Sequence, residues 1–234
     1  MTEYIDIALS LVTLTTLELV LGIDNLVFLA IISQRLPKHQ QAKARQFGLT
    51  AAWVTRLILL ASAVWITKLT TPLFSLFGVA FSGRDIFLIS GGMFLLTKAT
   101  QEIHFELEPK TAKKVPIGKT SQFGMVIAQI AILDIVFSLD SVLTAIGLTQ
   151  YFWLMAVAIT IAIIAMLFAS EPLSRFVEHN PTIKMLALSF LILIGMVLIA
   201  DGFNSHIPRG YIYFAMGFSL FIEFLNILQR KKKV

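Results

Sequence analysis

The sequence predicts an all-α polytopic membrane protein: seven transmembrane helices, built as a 3+3 inverted repeat plus one extra C-terminal helix, with the N-terminus outside and the C-terminus in the cytoplasm. Three observations carry that expectation. The chain of 234 residues is 57% hydrophobic and 14% charged, with mean hydropathy +0.82, whereas a soluble domain carries roughly 25% charge. Its apolar residues fall in runs close to the ~20 residues that cross a bilayer as a helix. One acidic pattern buried in such a run then appears twice at a constant offset.

The spans are predicted at Ile7–Ile32, Gln46–Thr67, Asp85–Thr100, Phe123–Leu148, Tyr151–Ser170, Ile183–Ala200 and Gly210–Leu228. The first and fourth exceed the length of a straight crossing, so tilt or a broken middle is expected, with Gly22 as a natural break. Lys and Arg set the orientation. The connectors after spans 1, 3 and 5 hold Arg35, Lys38, Lys43 and Arg45, then Lys110, Lys113, Lys114 and Lys119, then Arg175 and Lys184; the tail adds Arg230 to Lys233. The opposite side holds Lys68, Arg84 and Arg209. Positive residues stay in the cytoplasm, which gives N-out and C-in. The net charge of +5 therefore reflects topology, and no nucleic-acid partner is expected. With no cysteine, disulfides and thiolate metal sites are excluded. The acidic Met1–Asp6 start and the long first apolar run argue against a cleavable signal peptide.

The repeat rests on spans 1 and 4. Leu17-Glu18-Leu19-Val20-Leu21-Gly22-Ile23-Asp24-Asn25 is answered by Leu133-Asp134-Ile135-Val136-Phe137-Ser138-Leu139-Asp140-Ser141, an offset of 116 from Glu18 to Asp134 and from Asp24 to Asp140. Spans 3 and 6 share a second offset, 99, from Ser90 to Ser189 and from Glu102 to Asp201. A three-span unit must re-enter from the opposite side, which makes the repeat inverted and puts a site at the repeat interface near mid-membrane. The chain is read as one transmembrane domain over 1–234: repeat one about 7–104, repeat two about 123–203, and an extra helix about 210–228.

Ionisable residues at membrane depth are costly and mark ion or substrate paths. Counting along the spans puts Glu18 level with Asp140 and Asp24 level with Asp134, in layers about 9 Å apart. Six residues turn a helix by about 600°, so Glu18 and Asp24 lie about 120° apart, while Asn25 shares the face of Glu18. Ideal helices aim these acids poorly at one ion, so distortions are expected near Gly22–Asn25 and Ser138–Ser141. Four buried carboxylates need a counter-charge. A divalent cation would supply it, and protons could replace it on release. The candidate metal site is Glu18, Asp24, Asn25, Asp134, Asp140 and Ser141. Its oxygen-only donors suit a hard ion, Mn2+ first, with Mg2+ and Ca2+ as alternatives. No prosthetic group is expected; the partners are the divalent ion, protons and the lipid bilayer.

Arg56 and Lys98 are the intramembrane cations. If they merely pair the acids, the constellation only holds the bundle together, but two cations leave four acids in deficit. Arg56 is read as a counter-ion or gate lock, and Lys98 as a snorkelling residue. Glu102 and His104, in Glu102-Ile103-His104-Phe105-Glu106-Leu107-Glu108, could gather metal at the cytoplasmic mouth or be a solvated span end. Asp201 belongs at the outer mouth. Glu223 with Asn226 reads as packing polarity, and Gly91, Gly92 and Gly195 as points of close helix contact.

At Glu18…Asp24-Asn25 and Asp134…Asp140-Ser141 the chain resembles the TerC family of integral membrane proteins. The likeness extends to Ile89-Ser90-Gly91-Gly92, Glu102-Ile103-His104, Leu186-Ala187-Leu188-Ser189-Phe190 and Ala200-Asp201-Gly202-Phe203, and covers about Ile7 to Leu228. The resemblance implies a cation transporter whose paired acidic motifs form the metal site, with Mn2+ export as the activity of its better-understood members. It also implies a wider kinship with exporters of the lysine-exporter type, and a bacterial inner-membrane location. No appended cytoplasmic domain is expected, and the absence of thiols gives the family's tellurium label no support.

Two other classes fit the residues less well. A non-transporting scaffold or stress factor has no need for two buried acid pairs. An intramembrane aspartyl protease could use Asp24 and Asp140, but these fall in different layers, and Gly22-Ile23-Asp24 is not the Gly-x-Gly-Asp signature.

Overall fold

The computed structural model describes residues 2–62, 70–76, 79–108, 119–148 and 151–232. It is mostly helical, as the spans predict. The helices are α1 (Thr2–Ser33), α2 (Lys38–Ala61), α3 (Gly83–Leu107), α4 (Lys119–Leu148), α5 (Phe152–His179), α6 (Pro181–Gly202) and α7 (Arg209–Lys232). Among the described residues, four helices contain stretches long and apolar enough to cross a membrane: Tyr4–Ser33, Phe152–His179, Pro181–Gly202 and Gly210–Gln229. Helix α4 adds a shorter apolar stretch, Phe123–Leu139.

Three departures from expectation have local causes. A β-hairpin, β1 (Pro72–Leu76) with β2 (Val79–Ser82), precedes α3, so the fold is not purely helical. Phe74 and Phe81 stack across it at 5.5 Å, the kind of aromatic cross-strand pair that stabilises a short ribbon. Helix α5 runs past the predicted Ser170 boundary to His179 and keeps Pro172 in its interior. Helices α1 and α4 are continuous through Gly22–Asn25 and Ser138–Ser141, so neither expected break forms.

Gly22 serves packing instead. An added Cβ there would lie 2.7 Å from Met166 Sδ, so the missing side chain lets α5 approach α1.

The chain divides into two compact units, one from Met1–Thr71 with Val115–Phe176, the other from Pro72–Lys114 with Val177–Val234. Each takes elements from both halves of the sequence. In the first, α1, α2 and α4 pack on one another, and Trp53 Nε1 donates to Thr160 Oγ1 at 3.1 Å to join α2 to α5. Arg45 Nη1 donates to Ser174 Oγ at 3.4 Å and ties the same two helices nearer their other ends. Buried Leu26, Phe28, Leu29, Ile130, Leu133 and Ile159 belong to this unit's core.

In the second unit α3 and α6 form the main contact, and α7 packs on α6. The α3–α6 crossing is closest at two glycines: a Cβ on Gly92 would come within 2.5 Å of the Gly195 carbonyl oxygen, and one on Gly195 within 3.0 Å of that of Gly92. Small residues at such crossings let helix backbones approach without a hydrophobic driving force. The start of α3 is set by a capping box: Ser82 Oγ accepts from Asp85 N, and Asp85 Oδ2 accepts from Ser82 N at 2.8 Å. Beyond α6, Asn204 takes a left-handed conformation (φ 58°) and its Nδ2 donates to the Ala80 carbonyl at 2.9 Å, fastening the helix end to the hairpin.

Candidate functional site

The first unit brings two of the repeated acids onto one guanidinium. Helix α1 presents Glu18 and, two turns on, Asn25 from the same face. Helix α2 contributes adjacent Thr55 and Arg56. Helix α4 contributes Asp134 and, one turn on, Ser138. Arg56 Nη1 lies 2.5 Å from Glu18 Oε2, and Arg56 Nη2 lies 3.0 Å from Asp134 Oδ1. Arg56 Nε donates to the same Asp134 oxygen at 3.2 Å. All three side chains are almost completely buried: relative exposure is 2% for Glu18, 2% for Arg56 and 4% for Asp134.

Asp134 is held on every side. Its Oδ1 accepts from Arg56 and from Asn25 Nδ2 at 3.4 Å. Its Oδ2 accepts from Thr55 Oγ1 at 3.2 Å and from Ser138 Oγ at 3.1 Å. Glu18 is held by one oxygen only. Its Oε1 is buried with no hydrogen-bond partner among the described residues, and so is Asn25 Oδ1. A buried carboxylate oxygen without a donor is costly, so these two acceptors are open to a cation.

The charge also favours a cation. A guanidinium stays protonated in proteins, so Arg56 balances one carboxylate and leaves the trio one negative charge in excess when both acids are ionised. Beside Asn25 and Asp134 lies a cavity of about 20 Å3, walled otherwise by apolar side chains that include Phe28, Leu29, Leu49 and Ile130. Its size suits a single small occupant, and only Asn25 and Asp134 offer it polar atoms.

The hydrogen bond from Asn25 to Asp134 agrees with the depth count, which sets the Asp24 end of that motif level with Asp134. Glu18 and Asp134, expected in separate layers, share one guanidinium. The long Arg56 side chain bridges the step between them. Asp24 stands apart. It is half-buried on α1 and makes no hydrogen bond or ion pair among the described residues, as its 120° turn away from Glu18 on the helix requires. Asp140 and Ser141 lie within α4, and their side chains fall outside the described residues.

The remaining candidates belong to the second unit and do not assemble into a cluster. Glu102 is buried, whereas His104 is exposed and pairs with Glu108 at 3.2 Å. Glu106 takes Lys184 at 2.7 Å instead of joining them. Asp201 is buried near the end of α6, with Oδ1 3.4 Å from His206 Nδ1 and 3.4 Å from the Ile207 amide that donates to it. Glu223 accepts from Thr182 and Asn226, which joins α7 to α6. Lys98 reaches Gln101 Oε1 at 3.4 Å and lies over the Phe94 ring. Among the described residues no group of three or more His, Asp or Glu side chains is gathered closely enough to hold a metal ion by itself.

Thr55 and Ser138 are the site residues that sequence reasoning missed. A hydroxyl one turn after a buried acid, and another beside a buried arginine, were the signals available.

Comparison with known proteins places this chain in a family. The chain is 50% identical over 224 residues to the UPF0053 inner membrane protein YgdQ of Escherichia coli K12, covering 96% of this chain and 94% of that protein. It is 49% identical over 231 residues to a UPF0053 protein of Haemophilus influenzae, covering 95% and 94%. A longer relative, the UPF0053 inner membrane protein YoaE of E. coli K12, is 49% identical over 221 residues, which make up 94% of this chain and 43% of that protein. No solved structure matches. The family model described as the integral membrane protein TerC family matches residues 4–233. With that match, its inner-membrane relatives and its own apolar spans, the chain belongs to the TerC family and is an integral protein of the bacterial inner membrane.

Proposed function

We propose that this protein exports a hard divalent cation, Mn2+ first, by alternating access through a carboxylate site in the membrane interior. Family membership agrees with membrane transport. The observation that carries the finer reading is the buried trio in which Glu18 and Asp134 share the single charge of Arg56. Two carboxylates against one guanidinium, with Glu18 Oε1 and Asn25 Oδ1 unpartnered among the described residues, form an oxygen-rich site short of positive charge. Hard divalent ions favour such a donor set. Asp24, Asp140 and Ser141 would complete the ligand set as the helices shift, and protons would take the place of the departing ion. The inverted repeat and the N-out, C-in orientation belong to this reading. They are supported by the paired motifs, the distribution of Lys and Arg, and units that each combine elements from both halves.

One observation favours a second reading. The trio crosslinks α1, α2 and α4, as it would in a scaffold whose acids only hold helices together. Purified protein in proteoliposomes separates the two. Mn2+ flux that disappears in D134N and D24N proteins of normal yield supports export; absence of flux in the unaltered protein removes it.

A further inference from the structure

We propose that Arg56 is a built-in competitor for the transported cation: its guanidinium holds the Glu18–Asp134 pair in this state, and a divalent ion loads by taking those oxygens over. The inference rests on the transport reading and adds the group that the ion displaces.

Arg56 is the permanent cation of the site. It lies against Glu18 Oε2 at 2.5 Å and Asp134 Oδ1 at 3.0 Å, the oxygens a divalent ion would take. Two like-charged centres cannot share the same buried carboxylates without strong mutual repulsion, so occupancy by one excludes the other.

The guanidinium satisfies this site only in part. It leaves Glu18 Oε1 and Asn25 Oδ1 without partners among the described residues, because its donors lie in a plane and point along fixed directions. A small spherical ion gathers about six oxygens from all directions and could recruit both.

The site is also built to survive the departure of Arg56. Asp134 would still accept from Thr55, Ser138 and Asn25, so one ligand stays oriented while the guanidinium withdraws. The small cavity touches Asn25 and Asp134, whereas Arg56 and Glu18 are not among its walls. An ion arriving there meets Asp134 first and Arg56 afterwards. The return of Arg56 to the acids then expels the ion at the end of the cycle.

The test compares the full-length protein with R56Q and R56K, by calorimetric titration with MnCl2 in detergent and by Mn2+ flux in proteoliposomes. Loss of the competitor should lower the Kd of R56Q for Mn2+ about tenfold or more while slowing flux, because nothing then drives the ion off. R56K keeps a charge without the planar fork. It should show a smaller gain in affinity and partial flux, and it carries the test if R56Q fails to fold. A merely structural arginine would not improve binding when removed. Unchanged or weaker Mn2+ binding in the folded variants, beside an unaltered protein that does bind, overturns this inference alone. An unaltered protein that neither binds nor moves a divalent ion overturns the transport reading, and this inference falls with it.

Discussion

Asn25 and Asp134, 109 positions apart in the chain, are joined across α1 and α4 by a hydrogen bond from Asn25 Nδ2 to Asp134 Oδ1 at 3.4 Å. That oxygen also carries the guanidinium of Arg56. The amide that follows the first acidic motif therefore serves the first acid of the second motif. The two motifs meet at this point.

Charge balance ranks the stabilities of variants at the trio. Removing one acid, as in E18Q or D134N, leaves a balanced pair, whereas R56Q leaves two buried carboxylates with no counter-ion. Breaking a buried ion pair from one side costs about 3–5 kcal/mol, so R56Q should melt well below E18Q in detergent. Saturating Mn2+ should then raise the R56Q midpoint more than that of the unaltered protein, because ligand binding stabilises the folded state. Equal midpoints for R56Q and E18Q would contradict this charge balance.

Asp24 should separate function from folding. It makes no hydrogen bond or ion pair among the described residues, so D24N should stay within about 0.5 kcal/mol of the unaltered protein, as substitutions away from networks do. Its Mn2+ export should nonetheless be lost. Full export by D24N in loaded cells would strike Asp24 from the site.

The hydroxyls that hold Asp134 Oδ2 should tune the site without being required for it. Hydrogen bonds to a charged group contribute about 1.5–3 kcal/mol each. Either T55V or S138A should weaken Mn2+ binding by roughly tenfold or more on that scale, and the double variant further. Calorimetry decides it, and wild-type affinity in the double variant would show that Asp134 is oriented by other means.

Packing at the two glycine contacts should respond differently to added bulk. At Gly92 the neighbour is backbone, the Gly195 carbonyl, which cannot turn aside. G92V should therefore cost about 1–3 kcal/mol or more, in the range of overpacked cores. At Gly22 the neighbour is the end of the flexible Met166 side chain. Alanine also gains about 1 kcal/mol over glycine within a helix, so G22A should be close to neutral in thermal melts. A severe loss in G22A would restore Gly22 as a point of helix flexure.

Membrane class, the apolar runs and the repeated acidic pattern were legible in the linear chain because each depends on local quantities. Apolar run length must match a bilayer, Lys and Arg must avoid its core, and a pattern of an acid, five residues and an Asp, given twice, can be read without coordinates. Gly92 and Gly195 were recognised as contact residues for the same reason, since a missing side chain is a local fact. The β-hairpin escaped notice because an apolar run of four or five residues reads equally well as the edge of a span. Gly22 suggested a break that packing overrode, because residue preferences are weak beside packing contacts.

The partnership of Glu18 with Asp134 through Arg56 emerged only from three dimensions. Depth counting places residues along a span, but it cannot say which side chain reaches from one layer to the next. A long side chain from a third helix then chooses its own partners by distance and burial. Composition could establish that buried acids need a counter-charge. Which acids received Arg56, and which oxygens were left without a donor, was settled by how α1, α2 and α4 pack, since electrostatic pairing inside a protein follows ångström-scale separations that sequence spacing does not encode.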